Sequence, residues 1–323
     1  MMSARFLTVV LERAFNMRDG FGREIDYMRI SVIDSCNLNC YYCNPCDNNE
    51  HCHALNILSV KEVLCIVRAA TRLGIKHFRL TGGEPLLHPQ LDEMVLQIKK
   101  IPGVSSVSLT TNAVLLAQHA KQLKEAGIDS INVSLDTIDA SEYEHITKKP
   151  LLHKVEQGID AAIECGIRVK INAVLTPQTD VVALTRYASK KGTDIRFIEM
   201  MPVGEGHING VEPYEKVIGS LLEVYGTPCH IDTENREEIN SGYNNADNGP
   251  AEYYSFHGLD IRVGLIQAIH GKFCDTCNRI RVTADGRLIP CLGSSVTMDL
   301  VPDSCKFTDD LEKDFVIVQA LKA

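Results

Sequence analysis

"YMRISVID" (residues 27–34) runs straight into "DSCNLNCYYCNPC" (34–46), and this junction decides how the chain is read. The first stretch is rich in β-branched residues and reads as a strand. The second begins where that strand ends. Three of its thiols, Cys36, Cys40 and Cys43, form the pattern C-x3-C-x2-C. Structural zinc is closed by four ligands, and a [4Fe–4S] cluster normally takes four thiolates. A set of three leaves one iron open, where a cofactor or substrate can bind the metal directly. With Cys46 as a fourth ligand, and Cys52 near, the same stretch is a closed electron-transfer cluster or a zinc knuckle. Spacing alone leaves both readings open.

The junction repeats outward. Strand candidates "HFRLTG" (77–82), "VSSVSLTT" (104–111), "SINVSLD" (130–136), "RVKINAVL" (168–175) and "DIRFIEMM" (194–201) alternate with helical patterns at 59–73, 89–100, 115–126, 151–165 and 180–191. Helix 59–73 opens on "SVKE", in which Ser59 and Glu62 form a capping box. Val60, Val63, Leu64 and Val67 then follow helical spacing. Six strands alternating with helices predict parallel βαβ units. An open doubly wound sheet and a partial (β/α) barrel both satisfy the rhythm. In either, the ligand site lies at the C-terminal ends of the strands. "TGGEP", "TTN" and "SLD" stand there, as does the cysteine stretch. After about residue 202 the rhythm stops. "GYNNADNGPAEYY" (242–254) reads as a loop and 232–249 as a mobile one. "LDIRVGLIQAI" and "NRIRVTADGRLIPCL" read as short strands, with "ADG" a turn between two of them. The expected division is a core of residues 1–215 and a smaller, irregular C-terminal region of 216–323.

The chain has 323 residues, 45% hydrophobic and 23% charged, with a net charge of −9. It can bury a proper core. The acidic balance argues against general binding to nucleic acid or membrane surfaces, so a bound anion needs a local basic cluster. No segment approaches the length of a membrane span, and a cytosolic location is expected. Twelve cysteines in a reducing compartment point to metal or redox chemistry rather than disulfides. Cys65 and Cys165, on apolar helical stretches, read as core.

"FCDTCNRIRVTADGRLIPCL" (273–292) holds a second set of three, Cys274, Cys277 and Cys291, spaced C-x2-C-x13-C. It is an iron–sulfur site or a zinc ribbon completed by His257, His270 or Cys305. Arg279 and Arg281, two apart, share one face of a strand. The plain reading is a solvated basic face. Beside an open cluster the sharper reading is a phosphate site, since arginine's fork matches phosphate oxygens. Arg29, Arg79, Lys170 and Arg196 lie inside apolar strands, where an unpaired charge is costly.

C-x3-C-x2-C with Tyr42 before the last cysteine, followed by "TGGEP" after the next strand, closely resembles the radical S-adenosylmethionine enzymes. Within them, "RLTGGEPLL" (79–87), "LTTN" (109–112), "INVSLDT" (131–137), "RFIEMM" (196–201) and the C-terminal cysteine string resemble the GTP 3′,8-cyclase family of molybdenum-cofactor biosynthesis. The resemblance runs from about Arg29 to Leu292. It implies a partial (β/α)6 barrel and two [4Fe–4S] clusters, on Cys36, Cys40 and Cys43 and on Cys274, Cys277 and Cys291. It implies S-adenosylmethionine against Tyr42, Gly83, Ser134 and Met201. It implies GTP against Arg29, Arg79, Thr110, Lys170, Arg279 and Arg281, with Arg196 a further candidate. The implied reaction abstracts the ribose 3′ hydrogen and joins C3′ to C8 of guanine. The implied partners are a flavodoxin- or ferredoxin-type electron donor and a downstream cyclic pyranopterin monophosphate synthase, and a homodimer is left open.

The sequence departs from the family in three places. Ala113 stands where the family's TTNG has glycine, so a different loop is expected there. His77 replaces a common lysine, which predicts a weaker phosphate contact. The family's Gly-Gly tail has no counterpart in "VIVQALKA". A truncated chain, a dispensable tail and a paralogue with another substrate all fit that ending. Two other classes compete: a radical enzyme acting on another substrate, such as a peptide maturase, and a non-catalytic iron–sulfur or zinc protein. The latter leaves "GGE" unexplained.

Overall fold

A computed structural model describes residues 18–20, 22–43, 56–201, 214–231, 249–271, 273–291 and 296–300. Cys46, Cys52, Cys305, the segment 232–248 and the C-terminal residues lie outside the described residues. The six expected strands are β1 (Tyr27–Ser31), β2 (His77–Thr81), β3 (Ser106–Thr111), β4 (Ser130–Ser134), β5 (Arg168–Val174) and β6 (Asp194–Ile198). The expected helices between them are α1 (Val60–Arg72), α2 (Leu91–Lys99), α3 (Leu116–Glu125), α5 (Leu152–Glu164) and α6 (Val181–Lys191). α1 carries the capping box read from "SVKE": Ser59 accepts from the Glu62 amide, and Glu62 accepts from the Ser59 amide at 2.7 Å.

Each strand alternates. Met28, Ile30, Phe78, Leu80, Val107, Leu109, Ile131 and Val133 are fully buried in one continuous core with Val63, Ile66, Val67, Met94, Val95 and Ile159 of the helices. The intervening residues Tyr27, Arg29, Arg79, Ser108, Asn132, Lys170, Asn172 and Arg196 point the other way. Parallel strands covered on both faces by helices read as unbroken apolar runs. These do not, because their second face is turned to a polar interior.

β1 to β6 pair in chain order, all parallel. Among the described residues, the rest of the chain does not build a sheet of its own. β10 (Arg279–Val282) joins β1 in parallel, and β9 (Val263–Ile266) joins β6 in parallel. β11 (Arg287–Ile289) and β12 (Met298–Asp299) continue one edge antiparallel, and β8 (Glu252–Ser255) and β7 (Cys229–Ile231) continue the other. The single twelve-stranded sheet therefore runs from β12 to β7 with β1–β6 at its centre. Side chains of β1, β4, β6, β9 and β10 line one cavity, so the sheet curls into an incomplete barrel around it.

The edge strands β7 and β12 were not read from the sequence, and three further elements differ from that reading. α4 (Ala140–Thr147) fills the β4–α5 connection, and α7 (Tyr214–Tyr225) precedes β7. β8 occupies the end of a stretch read as loop. Among the described residues no helix is long and apolar enough to cross a membrane.

Candidate active site

The first cysteine loop is pinned from three sides. The amides of Asn39 and Tyr41 donate to the carbonyls of Thr147 and Ile146, 3.1 Å each, at the end of α4. The Tyr42 hydroxyl donates to Asp136, just past β4, whose other oxygen accepts from the Val174 amide at 2.8 Å. The third side is the "GGE" turn. The Gly83 amide donates to Ile33 and the Glu84 amide to Ser35, both at 2.8 Å. A Cβ on Gly82 would lie 2.2 Å from the Ile33 carbonyl oxygen, and one on Gly83 would lie 2.2 Å from that of Ser35. The glycines thus serve first to let two backbones touch.

Glu84 was not singled out by the sequence. It is buried and accepts from the Thr111 hydroxyl at 2.7 Å, the Asn112 amide at 2.7 Å and the Leu86 amide at 3.0 Å. Burial raises its pKa, and those three donors pull it back. The Asn112 side chain so placed reaches Asn37 at 2.7 Å and the Cys36 sulfur at 3.8 Å. Ala113, next along, adopts φ 62° despite its methyl. Its amide donates to the Thr111 hydroxyl at 2.9 Å, and the loop closes in the left-handed region that glycine would take more cheaply. Replacing Glu84 by Gln is expected to leave the Asn112 amide without its acceptor. A buried donor left unpaired costs about 1–3 kcal/mol, which a denaturant midpoint will report. An unchanged midpoint would show that the clamp contributes nothing.

The three thiols of this loop act on one another. Burial foremost, then Asp136, Cys43 and Cys36, pushes Cys40 up to about 12. Burial likewise raises Cys36 and Cys43. Such thiols need a metal to hold them as thiolates. Among the described residues no three Cys, His, Asp or Glu side chains close around a single ion. The chemistry of the donor set, three thiols, suits a four-iron cluster, in which each thiolate ligates its own iron. A small cavity of about 40 Å³ beside the loop is lined by Cys40, Tyr42, Asn112, Ser134 and Asp136 among others.

The second set stands at the start of β10, the neighbour of β1, and just past β11. Cys274 and Cys277 bound a single 3₁₀ turn, closed by the Cys277 amide on the Cys274 carbonyl at 3.2 Å. Cys291 follows β11, and Arg281 feels both Cys277 and Cys291. The donor set again fits three irons of one cluster.

A larger cavity, of about 180 Å³, lies inside the barrel. Arg29, Arg79, Arg196, Arg279, Arg281 and Met201 line it, with Tyr27, Asn132, Asn172 and Phe273. Strand register explains the convergence: Arg29 pairs with Arg79 on one side and with Arg281 on the other. Tyr27 organises the group. Its hydroxyl accepts from Arg79 Nε, and the Arg79 and Arg279 guanidinium carbons lie 5.8 and 5.9 Å from its ring centroid. Arg79 also reaches the Thr110 hydroxyl at 3.4 Å, and Arg196 donates to Asn172 Oδ1 at 2.8 Å. None of the described residues lining this cavity is acidic. Burial, then Arg281, Arg79 and Arg279, depresses the pKa of Arg29 well below the usual range, and burial chiefly lowers Arg279 and Arg281. A cationic cluster held this way is built for an anion of high charge.

Other expected residues fall elsewhere. Lys170 is buried beside Asn132 in register and is not among the lining residues. Gly83 lines neither cavity. His77 bonds Ser106 at 2.9 Å and stacks on Tyr27. Tyr27, Asn132 and Asn172 were missed, although their alternation with buried apolar neighbours was the signal that could have found them.

The pattern of the radical SAM superfamily matches residues 30–184, and that of Molybdenum Cofactor Synthesis C matches residues 193–317. A GTP 3′,8-cyclase of Clostridium perfringens is 38% identical over 280 residues, 85% of this chain and 83% of that protein. One of Pelotomaculum thermopropionicum is 38% identical over 88% of this chain and 86% of that protein. Among solved structures, SuiB of Streptococcus suis bound to S-adenosylmethionine aligns with a TM-score of 0.62, over 92% of this chain and 65% of that one. At 16% identity that likeness speaks for the fold alone. An arginine-lined lumen and two cysteine-bearing loops thus stand in a chain that shares 38% of its residues with those relatives over most of its length, and the chain belongs to the GTP 3′,8-cyclase family of radical SAM enzymes.

Proposed function

We propose that this chain cyclises GTP, with the triphosphate held by the arginines of the barrel lumen. The observation that carries the reading is the convergence of Arg29, Arg79, Arg196, Arg279 and Arg281 on one cavity that no carboxylate lines among the described residues. GTP carries about four negative charges, and a cluster of this kind focuses field on such a ligand in an otherwise acidic protein. Cys36, Cys40 and Cys43 hold the first [4Fe–4S] cluster, and Cys274, Cys277 and Cys291 hold the second. S-adenosylmethionine on the first cluster supplies the radical chemistry that removes the 3′ hydrogen and lets C3′ join C8.

The protein's own share is placement. Tyr42 and Ser134, on the small cavity beside the cysteine loop, and Met201, on the wall of the arginine cavity, would hold S-adenosylmethionine from two sides. Gly83 offers its carbonyl, since its amide is bonded to Ile33. Thr110 and Lys170 support the nucleotide, Thr110 through Arg79. The barrel core to about residue 215 serves the first cluster and the remainder the second, and the lumen between them keeps water from the reacting carbons. The arrangement calls for a low-potential electron donor of flavodoxin or ferredoxin type. It also calls for a downstream cyclic pyranopterin monophosphate synthase to consume the product.

The test is anaerobic reconstitution with dithionite and S-adenosylmethionine, with and without GTP. GTP-dependent 5′-deoxyadenosine together with a cyclised isomer of GTP is the expected result. Deoxyadenosine with GTP unchanged would overturn the substrate assignment. No deoxyadenosine, with about eight irons bound per chain, would overturn the reading as an enzyme.

A further inference from the structure

Just before β1, residues 18–20 and 22–24 pair with one another. Arg18 bridges Glu24 antiparallel, the Gly22 amide donates to the Asp19 carbonyl at 2.9 Å, and the Asp19 amide donates to the Arg23 carbonyl at 3.1 Å. The Arg23 guanidinium is aimed by Asp19, with Nε at 2.6 Å and Nη2 at 2.5 Å from its carboxylate. Its remaining nitrogen, Nη1, donates to the Cys274 carbonyl at 2.5 Å. That carbonyl also accepts the Cys277 amide, so one oxygen closes the cysteine turn and receives the arginine. A second tie lies beside it: Asn278 Nδ2 donates to Asp26 at 2.6 Å. Arg23 does not line the lumen with the other arginines.

We propose that Arg23 is a positioning residue for the second iron–sulfur cluster, fixing the Cys274–Cys277 turn and setting a cation beside two of the three thiolates. This rests on the assignment of Cys274, Cys277 and Cys291 as ligands. The carbonyl that Arg23 holds belongs to one of these cysteines and closes the turn on the amide of another, so the guanidinium stands beside the turn that carries both. Hydrogen bonding and charge near the sulfurs set the potential of such a cluster, and groups outside the ligand set hold the ligands in place. Asp19 offsets much of the charge at long range, so the effect is local to this cluster. A merely structural salt bridge would affect both clusters through the fold. Arg23 as a positioning residue affects only the second.

The experiment compares the reconstituted full chain with Arg23→Gln, Arg23→Lys and Cys274→Ala. Chelator-driven iron release and the midpoint of each cluster are followed by electron paramagnetic resonance. In Arg23→Gln, iron release from the second cluster is expected to be at least about tenfold faster. Its reduced fraction at fixed potential is expected to fall at least about threefold. The first cluster should be unchanged. Arg23→Lys keeps the charge without the fork, so the midpoint should return toward that of the parent while release stays fast. Parent-like release and midpoint in Arg23→Gln, or equal losses from both clusters in both Arg23 variants, would overturn the proposal. Cys274→Ala separates the two levels. A second cluster that survives it would overturn the ligand assignment. One lost there but untouched by Arg23→Gln would overturn only the role of Arg23.

Discussion

Replacing Arg29 by methionine is expected to make the nucleotide-free protein more stable and to weaken GTP binding at least about thirtyfold. Arg29 stands on β1 between Arg281 on β10 and Arg79 on β2, each its direct register partner. Neighbouring strands lie about 4.8 Å apart, and like charges placed opposite one another destabilise a sheet. At an effective dielectric near 20, two unit charges even about 8 Å apart repel by roughly 2 kcal/mol. Tyr27 relieves part of this by facing two guanidinium groups with its ring and accepting from one with its hydroxyl. Arg79 and Arg29 in turn bring the Tyr27 phenol below its ordinary pKa, against the opposing push of burial. Methionine keeps the length of the side chain and removes the charge. Each kcal/mol so released raises the melting temperature by about 2–4 °C in chains of 150–250 residues. With the triphosphate held as proposed, the same change would remove a charge-assisted contact to phosphate, and losing one partner of such a pair costs about 2–5 kcal/mol. Thermal melts and calorimetric titration, both with and without GTP, read the two effects separately. A lower melting temperature without GTP would refute the idea of a strained cluster. An unchanged affinity would remove Arg29 from the substrate site.

The central barrel was legible because its signals are local. A strand of alternating residues and the helix after it lie within about thirty residues, and the capping box of α1 lies within four. The polar alternation in "YMRIS", "HFRLT" and "RVKINAV" also carried the lumen, since every second residue of a strand shares a face. What was missed depends on partners far away in the chain. β10 joins β1 and β9 joins β6; both segments read as short strands, but nothing local in them names the edge each will join. α4 has only eight residues and buries only Tyr143, Ile146 and Thr147, too little pattern to stand out. β8 begins only after a Gly, Asn and Asp stretch that masks it. Glu84 and Arg23 were silent for the same reason. A lone acid or base in a sequence does not say which amide or carbonyl it will meet. The cysteine spacing, by contrast, carries its chemistry within one loop.

Gly83→Ala is expected to empty the first cysteine site while sparing the second. Gly83 has no left-handed φ, so the constraint is space rather than conformation. An added Cβ would meet backbone only, the carbonyl oxygen of Ser35 at 2.2 Å and that of Asp34 at 2.4 Å. Neither can swing aside as a side chain would. The two chains are bonded together through Gly83 to Ile33 and Glu84 to Ser35, and the strands on both sides are in register. The turn must therefore separate from the segment that delivers Cys36. That takes the sulfur away from Asn112, which Glu84 holds in place. Overpacking of this kind costs about 1–3 kcal/mol, occasionally more, and here the damage is confined to one end of the barrel. Iron after reconstitution should fall from about eight to about four per chain, and cleavage of S-adenosylmethionine should be lost. Gly219→Ala in α7 is the matched control. Its added Cβ would meet nothing within 4 Å, and alanine is the better helix former by about 1 kcal/mol. If both variants bind the full complement of iron, the close approach of the "GGE" turn to the cysteine loop is dispensable. In that case the glycines must owe their place to the ligand alone.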